Sequence, residues 1–72
     1  MKIDVLQVLA VQEFWYVRLL PDGDWEQRIV VWFGKTYRGA DRAATRIAER
    51  LADERNRPVM ICGEMPADPK DR

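Results

Sequence analysis

Two apolar runs that flank a tight-turn sequence are the feature that most constrains this chain. Residues 13–33 read EFWYVRLLPDGDWEQRIVVWF, and each run carries large apolar side chains at consecutive positions. In the turn, Pro21 presets φ for the first turn position, Asp22 tolerates the second, and Gly23 supplies a positive φ. The sequence therefore predicts a β-hairpin. A strand with one buried face alternates apolar and polar residues, but these two strands are apolar on both faces.

Counting outward from the turn predicts the register of the hairpin. We place Leu20 opposite Asp24, which brings Arg18 opposite Glu26 in a charge pair worth about 0.2–1 kcal/mol. One face then holds the side chains expected in the core, with Gln27 among them: Trp15, Val17, Leu19, Trp25, Ile29, Val31 and Phe33. The second face is charged near the turn and apolar away from it: Phe14, Tyr16, Arg18, Glu26, Arg28, Val30 and Trp32.

Only one further segment is long enough to cover a sheet face. Between Gly39 and Asn56, small and aliphatic residues recur at three- and four-residue spacing: Ala40, Ala43, Ala44, Ile47, Ala48, Leu51 and Ala52. This spacing predicts a helix whose alanine stripe packs on the sheet. Asn56 suits a left-handed C-terminal cap, and Pro58 prevents the helix from continuing.

Two shorter segments complete the predicted fold. Ile3–Val11 is rich in β-branched residues and reads as a strand, with helical spacing as the alternative; it either turns tightly near Gln12–Glu13 or continues as one long bent strand. Val59–Cys62 reads as a last strand, which can run parallel to the third. The sequence thus predicts an α+β fold in the order β-β-β-α-β: a small two-layer sandwich with a hairpin-based antiparallel sheet of three to four strands on one helix. We assign residues 1–64 to a single domain and 65–72 to a flexible C-terminal tail.

The residue types needed for most catalytic and metal sites are missing from the sequence. There is no histidine, and Cys62 is the only cysteine, so neither an internal disulfide nor a zinc site of the usual kind is expected. We interpret Cys62, within VMIC, as a buried and inert thiol. The GKTYRG segment lacks phosphate-loop spacing, and a loop that enters a helix explains its glycines. We therefore expect a protein without catalytic activity, cofactor or metal.

The sequence also limits where the protein is expected to act. A lone cysteine fits a reducing compartment. The N-terminus lacks the basic region of a secretory signal. The longest uninterrupted apolar run, Ile29–Phe33, is far shorter than the about 20 residues of a membrane span. We expect a cytoplasmic protein with no membrane partner.

The zero net charge of the chain conceals a basic segment. Residues 35–57 contain seven cations and four anions, which leaves the remainder with five cations and eight anions. Four arginines spaced four apart form a ridge on the predicted helix: Arg38, Arg42, Arg46 and Arg50. The ridge is either a solvated surface or a site for acidic proteins or nucleic acid.

The second sheet face has three interpretations. In the first, it is a protein interface, where Trp, Tyr and Arg are the enriched anchors. In the second, it is a platform on which bases of single-stranded nucleic acid stack. In the third, the N-terminal segment folds over it and buries it. One helix covers one face, and a large exposed aromatic patch is unusual on a monomer, so we favour cover by another chain.

These patterns favour a small non-catalytic interaction protein that binds a protein partner, either a second copy in a homo-oligomer or a heterologous target. The partner-binding residues that we predict are Phe14, Tyr16, Arg28, Val30 and Trp32 on the sheet, and Arg38, Arg42, Arg46 and Arg50 on the helix. In layout the chain resembles many tiny bacterial and phage domains of unknown role, a likeness of architecture that carries no residue across. In size and surface character it resembles phage-type inhibitors such as anti-CRISPR proteins. The alternative is a nucleic-acid-binding module on the same surfaces. Zero net charge counts against it, since phosphate contacts normally need a basic excess.

Overall fold

The computed structural model describes residues 3–65, which form a four-stranded sheet with one helix packed on one of its faces. The elements are β1 (Asp4–Val11), β2 (Phe14–Leu20), β3 (Ile29–Gly34), α1 (Tyr37–Arg55) and β4 (Val59–Gly63). The α+β class and the order β-β-β-α-β are confirmed. Most of the predicted tail, residues 66–72, lies outside the described residues. Within 3–65 no helix is long and apolar enough to cross a lipid bilayer.

The sheet is mixed, with strand order β3-β2-β1-β4. β1 and β2 pair antiparallel, as do β2 and β3, while β4 lies parallel to β1. The first strand therefore ends in a tight turn, in which Gln12 has a φ of 54° and Val11 pairs with Phe14. β4 runs in the same direction as β3, as predicted, but it pairs with β1, so the crossover through α1 passes two strands.

The turn between β2 and β3 has a different shape from the predicted one. Asp22 and Gly23 both have positive φ, at 57° and 74°, and the Asp24 N–H donates to the Pro21 carbonyl at 2.9 Å. A second short turn follows at Trp25–Gln27 because the Asp24 carboxylate accepts the Glu26 N–H at 3.0 Å. The hairpin is present, but its connection runs from residue 21 to residue 28.

The longer connection changes the register of the hairpin. Leu19 pairs with Ile29 and Arg18 with Val30, four residues away from the predicted partners. The register then shifts by one more residue between Val17 and Arg18, which leaves Val31 as a bulge. Since side chains alternate between faces, a shift of four preserves the predicted faces and a shift of five reverses them. The predicted faces of residues 32 and 33 are therefore wrong.

Trp32 packs against the core instead of lying on the second face. Its indole is enclosed by two glycines: a Cβ placed on Gly34 would overlap the ring, and one on Gly39 would lie 3.1 Å from it. These glycines, which the sequence explains only as loop residues, make room for the indole. The buried core that Trp32 joins consists of Leu6, Val8, Val17, Ala40 and Ala44.

The helix carries the capping signals that its sequence provides. Asn56 adopts the predicted left-handed conformation at the C-terminal end, with a φ of 51°. At the other end the Thr36 hydroxyl accepts the Gly39 N–H at 3.0 Å. A helix N-cap of this kind is typical of threonine, and it starts the helix at Tyr37, two residues before the predicted Gly39.

A buried carboxylate joins the start of β1 to the turn and to the end of the helix. Asp4 accepts the Asp22 N–H at 2.8 Å, and it pairs with Arg55 at 3.1 Å and with Arg57 at 2.9 Å. Arg57 also pairs with the Asp22 carboxylate. Burial alone would raise the pKa of Asp4, but the Asp22 N–H and the two guanidinium groups hold it below its usual value. Asp4 is thus an ionised and fully partnered group.

We expect Asp4→Asn to lower the free energy of unfolding by about 1–3 kcal/mol at neutral pH. The substitution weakens buried hydrogen bonds and removes the negative charge that pairs with Arg55 and Arg57. The folded-state pKa lies below the unfolded one, so the contribution is complete above the unfolded pKa and is lost as the pH falls through the folded pKa. Urea unfolding between about pH 7 and pH 2 should therefore show the gap between wild type and variant closing below about pH 4.

Asp53→Asn is the matched control because Asp53 is an exposed helix carboxylate without an ion pair among residues 3–65. A gap between wild type and Asp4→Asn that stays constant at every pH would contradict the assignment of an ionised Asp4.

We expect Gly34→Ala to destabilise the fold by about 1–3 kcal/mol, because the added methyl group meets the Trp32 ring. In a Trp32→Phe background the indole carbons that the new methyl group would meet are absent. The alanine at position 34 should therefore be tolerated better. A double-mutant cycle by urea unfolding measures this coupling. Equal effects of Gly34→Ala in the two backgrounds would show that the indole does not occupy the glycine pocket.

Candidate interaction face

The side of the sheet opposite α1, which we call the open face, is predominantly apolar. Strand alternation and the pairing register place on it Val5, Gln7, Leu9, Val11, Phe14, Tyr16, Arg18, Leu20, Val30, Phe33, Met60 and Cys62. The N-terminal segment does not cover this face, because residues 4–11 form β1 inside the sheet. Among residues 3–65 no second layer packs on it.

The most exposed apolar area lies along β3, at one edge of the sheet. On the open face Val30 is 55% exposed and Phe33 58%, and Ile29, which the register places on the helix side at the start of the strand, is 58% exposed. The Phe33 ring lies beside the Phe14 ring, with centroids 5.2 Å apart and a tilt of 30°. Within residues 3–65, β3 pairs with β2 alone, so its outer backbone groups are available to a further strand, as is usual for an edge.

A groove of about 420 Å³ opens on this part of the face. It is lined by Val11, Tyr16, Arg18, Arg28, Ile29, Val30 and Phe33. Five of these side chains are apolar or aromatic and two are guanidinium groups. The groove can therefore take an apolar side chain while it offers positive charge to a neighbouring group.

Trp25 forms the base of a cluster with the two arginines, which we call the Arg18–Trp25–Arg28 cluster. The guanidinium carbons lie 4.4 Å (Arg18) and 4.3 Å (Arg28) from the indole centroid, and the indole is 49% exposed. Arg18 Nε also donates to the Gln7 side-chain oxygen at 2.5 Å, and Arg28 Nη1 to the Trp25 carbonyl at 3.0 Å. Both arginines are held in place by neutral groups.

The cluster replaces the charge pair that the sequence predicts between Arg18 and Glu26. Sequence reasoning missed it because it treats Trp25 as a core residue of a regular strand. The available signal is Asp24, a residue that favours a new turn when it follows a completed one. That turn moves Trp25 out of the strand and places its ring against the arginines.

The structure brings together four of the five predicted partner-binding residues of the sheet. Phe14, Tyr16 and Val30 share the open face, and Arg28 lines its groove. The predicted placement of Trp32 on this face is wrong, because the bulge turns its side chain towards α1. Phe33, predicted to lie in the core, takes its place on the open face.

The arginine ridge lies in the other layer of the molecule. α1 turns Ala40, Ala43 and Ala44 towards the sheet, and at 3.6 residues per turn Arg38 and Arg42 fall on its outer side. All four ridge arginines are exposed, and among residues 3–65 none has a carboxylate within 4.0 Å. The ridge and the open face therefore cannot contact one flat surface together.

Two further observations concern the residues considered for chemistry. Cys62 is exposed, so the predicted burial of its thiol is wrong. In the described part of the sheet β4 is an edge strand with a neighbour on one side only, which leaves its side chains more accessible than an apolar sequence suggests. Across the described part of the chain, no three Cys, Asp or Glu side chains gather as a metal site would require.

Comparisons of the chain with protein-family models, with curated proteins and with solved structures found no significant match. The open face is therefore interpreted from its own contacts and charges.

Proposed function

We propose that this chain is a small non-catalytic interaction protein that binds another protein through its open face. The observation that carries the proposal is the exposed apolar pair Val30 and Phe33 on the open face, which no layer covers among residues 3–65. Exposed apolar patches of this kind mark interaction sites on small proteins.

The composition of the face supports protein binding in particular. Interface cores are enriched in aromatic residues and arginine, and these are the side chains that dominate binding energy. Phe14, Phe33 and Tyr16 supply rings, and Arg18 and Arg28 supply guanidinium groups beside them. The sequence has no histidine, the commonest general base. Inhibition of a host complex, which the likeness to anti-CRISPR proteins implies, is one form that this function can take.

Phe33→Ala should weaken partner binding. A buried aromatic anchor is worth about 2 kcal/mol or more at an interface, which is roughly a 30-fold loss of affinity. The measurement is quantitative affinity purification from the cells that encode the protein, followed by calorimetry with the recovered partner. The fold should survive because Phe33 is more than half exposed, and circular dichroism verifies this.

Ile61→Ala is the matched control, since Ile61 is also a partly exposed apolar residue but lies on the helix side of the sheet. The proposal fails if Phe33→Ala recovers the same partners at wild-type levels, or if Ile61→Ala lowers recovery equally.

Nucleic-acid binding by the arginine ridge is the second candidate function. It is favoured by four exposed arginines on one helix that have no ion pair among residues 3–65. The same chain carries no net charge, and a phosphate-binding surface is normally basic overall. The aromatic rings on which bases would stack lie in the opposite layer, so the ridge would bind the backbone alone.

A titration with mixed single- and double-stranded oligonucleotides tests this candidate. We expect no measurable binding even at low salt, about 50 mM. Binding with a steep salt dependence would instead favour the ridge, provided that Arg42→Ala with Arg46→Ala reduces the slope by about two. Phe33→Ala should leave such binding unchanged.

A further inference from the structure

We propose that the open face recognises a carboxylate-bearing segment of its partner protein. The groove takes an apolar side chain of that segment, and the Arg18–Trp25–Arg28 cluster takes the carboxylate. The inference rests on the proposed function and specifies the chemistry of the partner.

The charged side chains of the open face and its groove are all positive. The strands contribute twelve side chains to it, and Arg18 is the only charged one. Arg28 adds a second cation at the groove. Among residues 3–65, no carboxylate oxygen lies within 4.0 Å of either guanidinium group. A complementary partner therefore brings negative charge to an otherwise apolar surface.

The two guanidinium groups are positioned before any ligand arrives. Gln7 holds Arg18, the Trp25 carbonyl holds Arg28, and the indole contacts both. An arginine has five N–H donors, and each of these uses one in the described hydrogen bonds, so further donors remain to bind a carboxylate in its bidentate geometry. Binding then loses less side-chain freedom than it would with two mobile arginines.

The arginines and the apolar side chains of the groove are neighbours, so the site fits a ligand in which a carboxylate lies beside an apolar group. Arg18, Arg28, Val30 and Phe33 line the same groove. Arg18 pairs directly with Val30 across the two strands. A segment that carries Asp or Glu close to a leucine or an aromatic residue would satisfy both halves of the groove at once.

A second copy of this chain is a poorer occupant. Packing two open faces together would place four arginines in one interface, and the strands described in residues 3–65 place no carboxylate on the face to pair with them. Like charges that lose their water oppose association.

Nucleic acid is also a poorer occupant. Its bases stack on a series of accessible ring faces, but Trp32 lies beneath α1, the Trp25 ring contacts two guanidinium groups, and the Phe14 and Phe33 rings pack on each other. Tyr16, which lines the groove, is a single ring and not a series.

Selection from a random library of displayed peptides tests the inference and does not require the partner to be identified first. The full chain is immobilised and the enriched sequences are compared with the naive library. We expect enrichment of Asp and Glu next to apolar residues, and at least a tenfold loss of recovery on an Arg18→Gln/Arg28→Gln double variant. The matched control, Arg38→Gln/Arg42→Gln, removes two exposed helix arginines and should retain the selected peptides.

Chemical-shift mapping of a selected peptide supplies the second readout. The Trp25 indole N–H and the amides of β3 should shift, and those along the outer side of α1 should not. The inference is overturned if uncharged or basic peptides dominate, if acidic peptides bind the double variant equally well, or if nothing is enriched.

Uncharged peptides that bind wild type but not Phe33→Ala would contradict this inference and leave the proposed function intact. Self-association lost on Phe33→Ala would replace the acidic segment by a second copy, and oligonucleotide binding lost on the arginine double variant would replace it by nucleic acid.

Discussion

The bulge at Val31 is the constraint on which both faces of this sheet depend. One extra residue in β3 sends the Trp32 indole under α1 and the Phe33 ring to the open face. Gly34 and Gly39 leave the space that the indole fills. The residues that follow the bulge therefore accommodate the side chain that the bulge redirects. Core and interaction face are thus determined together, because a strand that lacked the bulge would exchange Trp32 and Phe33 between the two faces.

The buried Asp4 links this arrangement to the groove. It holds the Asp22 N–H and two arginines from the helix end, and so it positions the turn that follows β2. Asp24, the last residue of that turn, then caps the short turn that carries Trp25. The indole between Arg18 and Arg28 is therefore attached to the core through a chain of hydrogen bonds, although it lies on the surface. A rigid support of this kind is what a preorganised binding site needs.

Sequence reasoning predicts the parts of this fold that local chemistry decides. The alanine spacing gives the helix, Asn56 gives its end, and PDGD gives a turn. It fails where the outcome depends on partners distant in sequence. The register depends on the cap at Asp24 and on a bulge, neither of which alters the apolar pattern. Cys62 is exposed because of strand order, and the arginine ridge is separated from Phe14 and Tyr16 because of the layer arrangement. The Arg18–Trp25–Arg28 cluster follows from the turn that Asp24 caps.

The parallel pairing of β4 with β1 has a consequence for how the protein is made. Each paired residue in β4 follows its partner in β1 by 55 positions, from Asp4 with Val59 to Val8 with Gly63. On the ribosome, β1 and the apolar β3 emerge well before the strand that completes the sheet and before the arginines that neutralise Asp4. The sheet can therefore be completed only after most of the chain has left the exit tunnel, and until then the apolar side chains of β3 lack the complete fold around them.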